Sequence, residues 1–356
     1  MSSKRWLLPS RNSSEKPAIY HCVSRVVDRR FVFGDVEREY FRKLMRMQEN
    51  FSGCRILSYC IMSNHVHILL EVPPPVAGGI TDGELLRRLA AIYSEAAVAE
   101  VANELVAAHA EKREGWVAEI HARFTYRMHD LSEFMKTVLQ RFTRWFNRTH
   151  ERTGTLWEER YRSVIVESGI AARTIAAYID LNPVRAGMVQ DPADYRWSSY
   201  GEAVGGGAKG NGKKAREGLV RANLSYEGVN YDAERWKDVM RTYRRVMGLA
   251  LDQKNGRTVV EKGEARPQIN AAEALTAETN GTALPDLKLA AMLRCRVRYF
   301  TDGAVIGSKA FVNEVFSAAR ERFTEKRKDG ARKMKGSGCG ARGVLWSVRD
   351  LRVRIG

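Results

Sequence analysis

The sequence has no long uninterrupted apolar run, no closely paired cysteines and no excess of acidic residues. A membrane-spanning helix needs roughly 18 or more consecutive apolar residues, and no stretch of the chain approaches that length. The opening residues MSSKRWLLPSRNSSEK also lack the apolar core of a signal peptide. We therefore expect neither a membrane span nor a secretory leader, and no membrane partner.

The cysteines are too few and too scattered for a disulfide framework. Five occur in the chain, none of them in a CxxC pair: Cys22, Cys54, Cys60, Cys295 and Cys339. An odd, scattered set is typical of reduced thiols in a cytosolic protein, and it offers no zinc cage of paired thiolates. We expect a cytoplasmic protein.

Acidic residues are too few to balance the basic ones. There are 59 Lys and Arg against 42 Asp and Glu, which gives a formal net charge of +17. This favours a polyanionic partner, because neutralising phosphates releases counterions and drives binding. An anionic membrane surface would attract the same positive charge, so charge alone does not decide between a membrane and a nucleic acid as the partner. The chain, at 356 residues, is long enough for two or three domains.

Several catalytic motifs are also missing. There is no H-E-x-x-H zinc-protease helix, and Leu at position 69 excludes the HxHxH of a histidine-triad hydrolase. The stretch GAVIGSK at 303–309 lacks the spacing of a nucleotide-binding P-loop. A replication-initiator nickase, which usually carries an ATP-driven helicase domain, is therefore disfavoured.

Hydrophobic periodicity predicts alternating strands and helices between residues 18 and 182. Strands are predicted at 18–27, 54–62, 65–72 and 162–168, and helices at 35–51, 130–150 and 168–182. Only Ser63 and Asn64 separate the second and third strands, which indicates a tight hairpin. Asp35 is a plausible N-cap. The order β-α-β-β-α-β-α fits an α+β fold of the ferredoxin-like (split βαβ) type, with an antiparallel sheet.

Composition predicts three regions along the chain. Residues 1–204 form one domain, with an Ala-, Glu- and Leu-rich helical insertion at about 77–127. The tract GGGAKGNGKKAREG, Gly-rich and basic, predicts a linker over 205–230. Beyond it, 231–356 is expected to be a separate, mainly helical, basic region that binds nucleic acid.

Two histidines, His65 and His67, lie one residue apart in the strand HVHILLEV. Side chains at i and i+2 of a strand share a face, so both rings can converge on one ion. Two imidazoles rarely hold a functional divalent ion, so a third ligand is expected from another element. A pair of solvent-facing histidines with no metal role is the alternative, and the strand by itself does not exclude it.

The predicted helix 168–182 carries Tyr178 and Asn182 at i and i+4, on one face. A tyrosine beside a metal-held phosphodiester is a competent nucleophile that forms a phosphotyrosine link. The amide oxygen of Asn182 could complete the coordination. Imidazole and hard oxygen ligands with open positions suit Mg²⁺ or Mn²⁺. Ordinary structural roles stay open for both residues: Tyr178 could be a core aromatic, and Asn182 could be a helix cap before Pro183.

Five motifs occur together in a characteristic order: YHCVSR, MSNHVHILLE, FTRWFNRTHERTGTLWEERYRS, YIDLNPVRAGMV and DYRWSSY. With these motifs the chain resembles the REP-associated tyrosine transposases, a branch of the single-tyrosine HUH transposases of the insertion-sequence type. The resemblance covers about 16–76 and 128–204. The stretch 77–127 is longer than the usual connection, and nothing after 205 matches.

The resemblance implies a site and a reaction. It assigns Tyr178 as the catalytic tyrosine, His65 and His67 as metal ligands, and Asn182 as the third ligand. The reaction would be metal-dependent cleavage and transfer of single-stranded or hairpin DNA, such as repetitive extragenic palindromes, through a 5′-phosphotyrosine. In many relatives tyrosines stand at the positions of Phe142 and Trp145, which leaves Tyr178 as the nucleophile. A bacterial, nucleoid-associated location follows.

Some polar and aromatic residues of these motifs suit DNA contacts. Trp157, Arg160, Arg162 and Arg185 could stack on bases or bind phosphates, and Arg144, Asn147 and Arg148 stand at the end of an amphipathic helix. For each, an ordinary role on a charged face or, for Trp157, in the core stays open.

Two further alternatives concern the whole chain. A non-catalytic, domesticated binder of hairpin DNA or RNA would also fit, although a dead descendant need not keep His65, His67 and Tyr178. A homodimer is possible, with the tyrosine acting in cis or in trans.

Overall fold

The computed structural model describes residues 16–207, 210–224, 235–255, 300–301, 304–323, 330–334 and 345–348. Its internal contacts define two units. The N-terminal unit consists, in its described part, of 16–56 and 61–161. The C-terminal unit consists of 57–60 and the described residues from 162 onward. Helices and strands occur in both units, so the predicted α+β class is confirmed.

The N-terminal unit begins with a strand, a short 3₁₀ turn and a helix. Its elements are β1 (Ala18–Arg25), the 3₁₀ turn Val27–Arg29, α1 (Asp35–Ser52), β2 (Arg55–Ile61, of which 57–60 belong to the C-terminal unit), β3 (His65–Val72), α2 (Asp82–Leu89), α3 (Glu95–Ala110), α4 (Glu114–Thr125) and α5 (Leu131–Thr149). β1 and β3 pair in antiparallel fashion, with Val23 opposite His67 and Arg25 opposite His65. The Met62 N–H donates to the His65 carbonyl at 2.9 Å and closes the predicted tight turn.

Helices α1 and α5 pack their apolar faces together in the N-terminal unit. The rings of Phe41 and Phe142 meet edge to face at 5.2 Å, and both side chains are fully buried. Helix α1 begins at Asp35 itself, so the N-cap is the preceding residue, Gly34, whose N–H donates to the Glu37 carboxylate at 2.9 Å. The prediction of Asp35 as the N-cap is wrong, because Asp35 is already the first residue of the helix.

The stretch 77–127 is helical, as predicted, and has a small core of its own. Leu85, Leu89, Leu105 and Ile120 from α2, α3 and α4 are buried there together with Phe51 of α1. Asp82 links all three helices, because its carboxylate oxygens lie 2.8 and 2.7 Å from His109 and His121 Nε2. That this segment is an insertion remains a prediction.

The C-terminal unit alternates short strands with helices. Its further elements are β4 (Arg162–Val166), α6 (Ile170–Asp180), α7 (Asn182–Arg185), the 3₁₀ turn Pro192–Asp194, α8 (Ser199–Gly205), α9 (Gly210–Asn223), α10 (Trp236–Asn255), β5 (Val305–Gly307), α11 (Lys309–Ala318), the 3₁₀ turn Arg320–Arg322, β6 (Arg332–Lys333) and β7 (Trp346–Val348). β4 and β5 are parallel, with Ile165 opposite Val305. β7 pairs in antiparallel fashion with both β5 and β6.

These contacts correct the prediction of a separate, mainly helical region at 231–356. Its described residues contribute three strands, and β5 pairs directly with β4. Tyr243 of α10 also donates a hydrogen bond to Asp180 of α6 at 2.7 Å. Three-residue strands carry too little alternation to be recognised in a sequence. The rest of the predicted basic tail at 320–335, and the stretch 256–299, lie outside the described residues.

The predicted linker at 205–230 is wrong over Gly210–Asn223, which is helix α9. Its glycines permit close packing: a Cβ on Gly212 would lie 2.5 Å from the Gly207 carbonyl oxygen and 2.7 Å from the Gly206 carbonyl carbon. Arg216 of α9 donates to the carbonyls of Ala203 and Gly206 at 2.9 and 2.6 Å, and so caps the end of α8. The glycines and basic residues of this tract predicted a flexible linker. In the structure, Gly212 and Arg216 instead pack α9 against the end of α8.

Candidate active site

The structure brings the two strand histidines together. The ring centroids of His65 and His67 lie 4.9 Å apart, with the rings nearly perpendicular. His67 is buried and His65 half-buried. Val66 and Ile68, on the opposite face of β3, are fully buried in apolar surroundings. Alternation along the strand therefore gives one face to the core and the other to the imidazoles.

The proton of His65 is fixed by its neighbour Asn64. The Asn64 amide nitrogen donates to the Arg29 carbonyl at 2.9 Å, which sets the orientation of the amide. Asn64 Oδ1 then lies 2.7 Å from His65 Nδ1. Because an amide oxygen only accepts, the His65 proton is on Nδ1 and Nε2 carries the lone pair. Burial, with the charge of Arg25, lowers the pKa of His65 to about 4, so the ring is neutral near pH 7.

A third histidine, His21, contacts His67 and was not predicted from the sequence. His21 Nε2 lies 3.0 Å from His67 Nδ1, and the rings stack at 5.2 Å. Val23 is the direct partner of His67, so His21 is its diagonal neighbour on the same face. His21 is part of the motif YHCVSR, but only the register of β1 and β3 shows that its side chain lies beside His67. This bond engages His67 Nδ1, and when Nδ1 is its donor the lone pair of the ring is on Nε2.

These groups fit half of a divalent metal site. His65 offers an Nε2 lone pair, and His67 offers the same atom in the tautomer whose Nδ1–H donates to His21 Nε2. Within the described part of the chain, no group of three or more His, Cys, Asp or Glu side chains could hold a metal ion. A metal held by His65 and His67 would therefore need a donor of another type, such as an amide or phosphate oxygen.

Tyr178 lies on α6 in the C-terminal unit and is 2% exposed. Its ring packs against Phe300 at 4.8 Å, and the Arg185 guanidinium lies 5.1 Å from the ring centroid. Arg185 Nη1 also donates to the Tyr178 carbonyl at 3.5 Å. Burial lowers the pKa of Arg185 from its ordinary value. The tyrosine is thus held between an aromatic ring and a cation.

Asn182 is the first residue of α7, not the end of the helix that carries Tyr178. The predicted helix 168–182 is shorter, since α6 ends at Asp180. Asn182 Nδ2 donates to the Ile179 carbonyl at 3.3 Å. Among the described residues, its Oδ1 accepts no hydrogen bond. This oxygen is therefore the atom of Asn182 that could serve as a metal ligand.

A buried carboxylate, Asp180, lies two residues from Tyr178 and was not predicted. It accepts hydrogen bonds from the Tyr200 N–H at 3.0 Å and the Tyr243 hydroxyl at 2.7 Å. Burial raises its pKa to about 7, although both hydrogen bonds lower it. Asp180 therefore joins α6, α8 and α10.

The predicted DNA-contacting residues differ in their exposure and in their contacts with the rest of the protein. Arg144, Arg148, Arg160 and Arg162 are exposed. Asn147 is used internally: its Nδ2 donates to the Gly154 carbonyl at 2.9 Å and its Oδ1 accepts from Arg152.

Trp157 has a packing role in the N-terminal unit. Its indole N–H donates to Thr143 Oγ1 at 3.0 Å, and its ring contacts those of Phe33, Phe41 and Phe142. The core alternative therefore describes Trp157 better than a base-stacking role. Arg185, as described above, covers Tyr178.

Residues 15–79 match the family model described as "Transposase IS200 like". The chain is similar to that family over this stretch, which we call the IS200-like segment. It contains β1, α1, β2 and β3, and so His21, Asn64, His65 and His67. The predicted resemblance to single-tyrosine, insertion-sequence transposases is confirmed there.

One solved structure is similar to the chain beyond the IS200-like segment. It is described as "Structure of the REP associates tyrosine transposase bound to a REP hairpin" and has a TM-score of 0.35 and 13% identity. The similarity covers 59% of this chain and 90% of that chain. No curated protein matches the chain. In the described residues, no helix is both long and apolar enough to cross a membrane.

Proposed function

We propose that the chain is a DNA transposase that cuts and rejoins single-stranded DNA with the help of Mg²⁺ or Mn²⁺. The observation that carries the proposal is the His65–His67 pair within the IS200-like segment, with ring centroids 4.9 Å apart. Both rings make hydrogen bonds through Nδ1 to Asn64 and His21, an arrangement typical of metal-binding histidines.

The proposed reaction uses three metal ligands and one tyrosine nucleophile. His65, His67 and Asn182 would hold the ion, which polarises the phosphate when bound. The Tyr178 hydroxyl attacks phosphorus and loses its proton, and the bond to the 3′ oxygen breaks, so that this oxygen leaves as a 3′ hydroxyl. The 5′ phosphate stays on the tyrosine. Attack by a 3′ hydroxyl on this link reverses the step, so no ATP is needed.

The surroundings of Tyr178 set a condition on this mechanism. Its side chain is 2% exposed, so a phosphate reaches the hydroxyl only when the packing around the ring, which includes Phe300 and Arg185, opens. We include such an opening in the proposal. Arg185, whose guanidinium carbon lies 5.1 Å from the ring centroid, supplies a positive charge over the ring, which favours a developing negative charge on the phenol.

The proposed substrate is single-stranded or hairpin DNA of the REP type. A net charge of +17 supports binding to phosphates, and four exposed arginines supply contacts. These are Arg144, Arg148, Arg160 and Arg162.

An adduct assay tests the proposal. Labelled hairpin DNA is incubated with the protein and Mn²⁺ or Mg²⁺, and the reaction is resolved on an SDS gel. We expect a covalent adduct that EDTA abolishes and that Tyr178→Phe lacks. Tyr161→Phe, which changes another buried tyrosine, is the matched control and should keep the adduct. An adduct at full yield from Tyr178→Phe would show that the nucleophile is wrong.

A second candidate is a non-catalytic binder of hairpin DNA or RNA. The burial of Tyr178 under Phe300 and Arg185 favours it. Hairpin binding with no adduct under either metal would support this candidate over the first.

A further inference from the structure

A basic loop with an exposed aromatic ring lies between β1 and α1. Phe31 is 82% exposed, a high value for a large apolar side chain. Arg25, Arg29 and Arg30 are exposed as well. Across the part of the chain that the structure describes, none of these three guanidinium groups forms an ion pair. We call residues 25–31 the arginine–phenylalanine loop.

This loop is fixed to the turn that precedes the candidate metal ligands. The Val26 N–H donates to the Asn64 carbonyl, and Asn64 Nδ2 donates to the Arg29 carbonyl, both at 2.9 Å. Just beyond the loop, the Phe33 N–H donates to the Ser63 carbonyl at 3.0 Å. Arg25 is the register partner of His65. The loop that carries the exposed ring is therefore bonded to the turn directly before the histidine pair.

The backbone of the loop shows that its shape is maintained at a cost. Asp28 and Arg29 have φ of 55° and 54°, in the left-handed region that side chains other than glycine rarely adopt. Such conformations persist only where surrounding bonds impose them, as the Asn64 contacts do here. A loop held in this way presents Phe31 at little further entropic cost on binding.

We propose that the arginine–phenylalanine loop binds the single strand next to the scissile phosphate, with one base stacked on Phe31 and phosphates on Arg25, Arg29 and Arg30. An aromatic ring among unpaired cations matches single-stranded nucleic acid, which offers both an open base and a phosphate chain. A duplex keeps its bases stacked and has none to offer the ring. The inference rests on the proposed function and adds a binding site to it.

Binding without cleavage tests the proposal. A dye-labelled oligothymidylate is titrated with protein carrying Tyr178→Phe, in EDTA, at several salt concentrations, and fluorescence anisotropy gives Kd. We expect Phe31→Ser to raise Kd about ten-fold at every salt concentration, because one stacked base is lost. Phe31→Trp keeps a ring and should restore the affinity. The double variant Arg29→Gln/Arg30→Gln should flatten the slope of log affinity against log salt by about 1.4, or about 0.7 per phosphate contact.

Two matched variants control for general effects. Tyr126→Ser removes another exposed aromatic ring, 62% exposed, from the helical segment. Lys43→Gln/Lys112→Gln removes two exposed positive charges outside the loop. We expect both to change Kd less than two-fold.

The outcomes separate this inference from the proposed function. If the parent protein binds no oligothymidylate, the loop proposal is wrong, and the adduct assay on hairpin DNA decides the proposed function separately. If it binds and Phe31→Ser binds equally well, or if Phe31→Trp is as weak as Phe31→Ser, the loop proposal is wrong and the proposed function stands. If Phe31→Ser leaves Kd unchanged but shifts a dimer to monomer in sedimentation, the loop is a self-association surface and the proposal is again wrong.

Discussion

At the scale of single residues, the hydrogen bonds behind His65 and His67 decide what the histidines can bind. A neutral imidazole has one protonated and one bare nitrogen, and a metal uses only the bare one. Asn64 fixes the proton of His65 on Nδ1, at 2.7 Å, and His21 engages Nδ1 of His67, at 3.0 Å. Loss of such partners typically weakens metal affinity 10- to 100-fold, so about that range is expected here.

Asn64→Ala is expected to weaken Mn²⁺ binding about 10- to 100-fold, because His65 loses the acceptor that fixes its tautomer. Asn64→Asp keeps an acceptor oxygen beside Nδ1 and should retain the affinity, although it loses the donor to the Arg29 carbonyl. Titration calorimetry or Mn²⁺ electron paramagnetic resonance of the purified protein measures this.

Asn147→Ala, which also removes a side-chain bond to a backbone carbonyl, is the control and should bind Mn²⁺ normally. Wild-type affinity in a folded Asn64→Ala protein would contradict the tautomer argument. Equal losses in Asn64→Ala and Asn64→Asp would instead assign the effect to the lost bond between Asn64 and the Arg29 carbonyl of the arginine–phenylalanine loop.

At the scale of elements, helix α6 is held by one buried carboxylate. Asp180 accepts from Tyr200 at the start of α8 and from Tyr243 of α10. The same helix carries Tyr178, so bonds two residues away set the position of the proposed nucleophile. Because burial raises the pKa of Asp180 to about 7, its contribution to stability depends on pH.

Asp180→Asn is expected to change the pH dependence of folding. Between its ordinary pKa of 3.8 and about 7, the folded protein keeps a proton on Asp180 that the unfolded chain has released. Stability from this group is therefore highest at low pH and falls as pH rises through that window, by at most about 4 kcal/mol. Asparagine does not titrate. Urea unfolding at pH 5, 6, 7 and 8 should show wild type losing stability relative to Asp180→Asn, and parallel curves would refute the prediction.

Gly212→Ala tests the packing of α9 on α8. A Cβ there would lie 2.5 Å from the Gly207 carbonyl oxygen, and backbone cannot yield as a side chain does. We expect a loss of about 1–3 kcal/mol in unfolding free energy. Gly205→Ala is the matched control, since its Cβ would have no heavy atom within 4 Å. If thermal unfolding finds the two variants equally stable, the glycines are not needed for packing.

At the scale of the whole molecule, periodic and local features could be predicted, and long-range ones could not. Strand β3 and helices α1 and α5 have strong apolar periodicity and lie within a few residues of their predicted ranges. The same-face placement of His65 and His67 follows from the strand alone. The Asn64 bond also lies within one residue of its partner, so it was open to inference.

Features that depend on distant partners had no local signal. His21 meets His67 only through the register of β1 and β3. The glycines of 205–218 look flexible by composition, and only the neighbouring backbone shows why they are needed. The burial of Tyr178 depends on Phe300, far along the chain, and helical spacing cannot report it.

The central claim is that Tyr178 becomes covalently joined to DNA, and peptide mapping tests it most directly. Wild-type protein is reacted with hairpin DNA and Mn²⁺, denatured, digested with nuclease and trypsin, and analysed by mass spectrometry. We expect a nucleotide on the peptide TIAAYIDLNPVR, residues 174–185, at its one tyrosine. A nucleotide on any other peptide, or metal-dependent cleavage with no modified peptide, would contradict it.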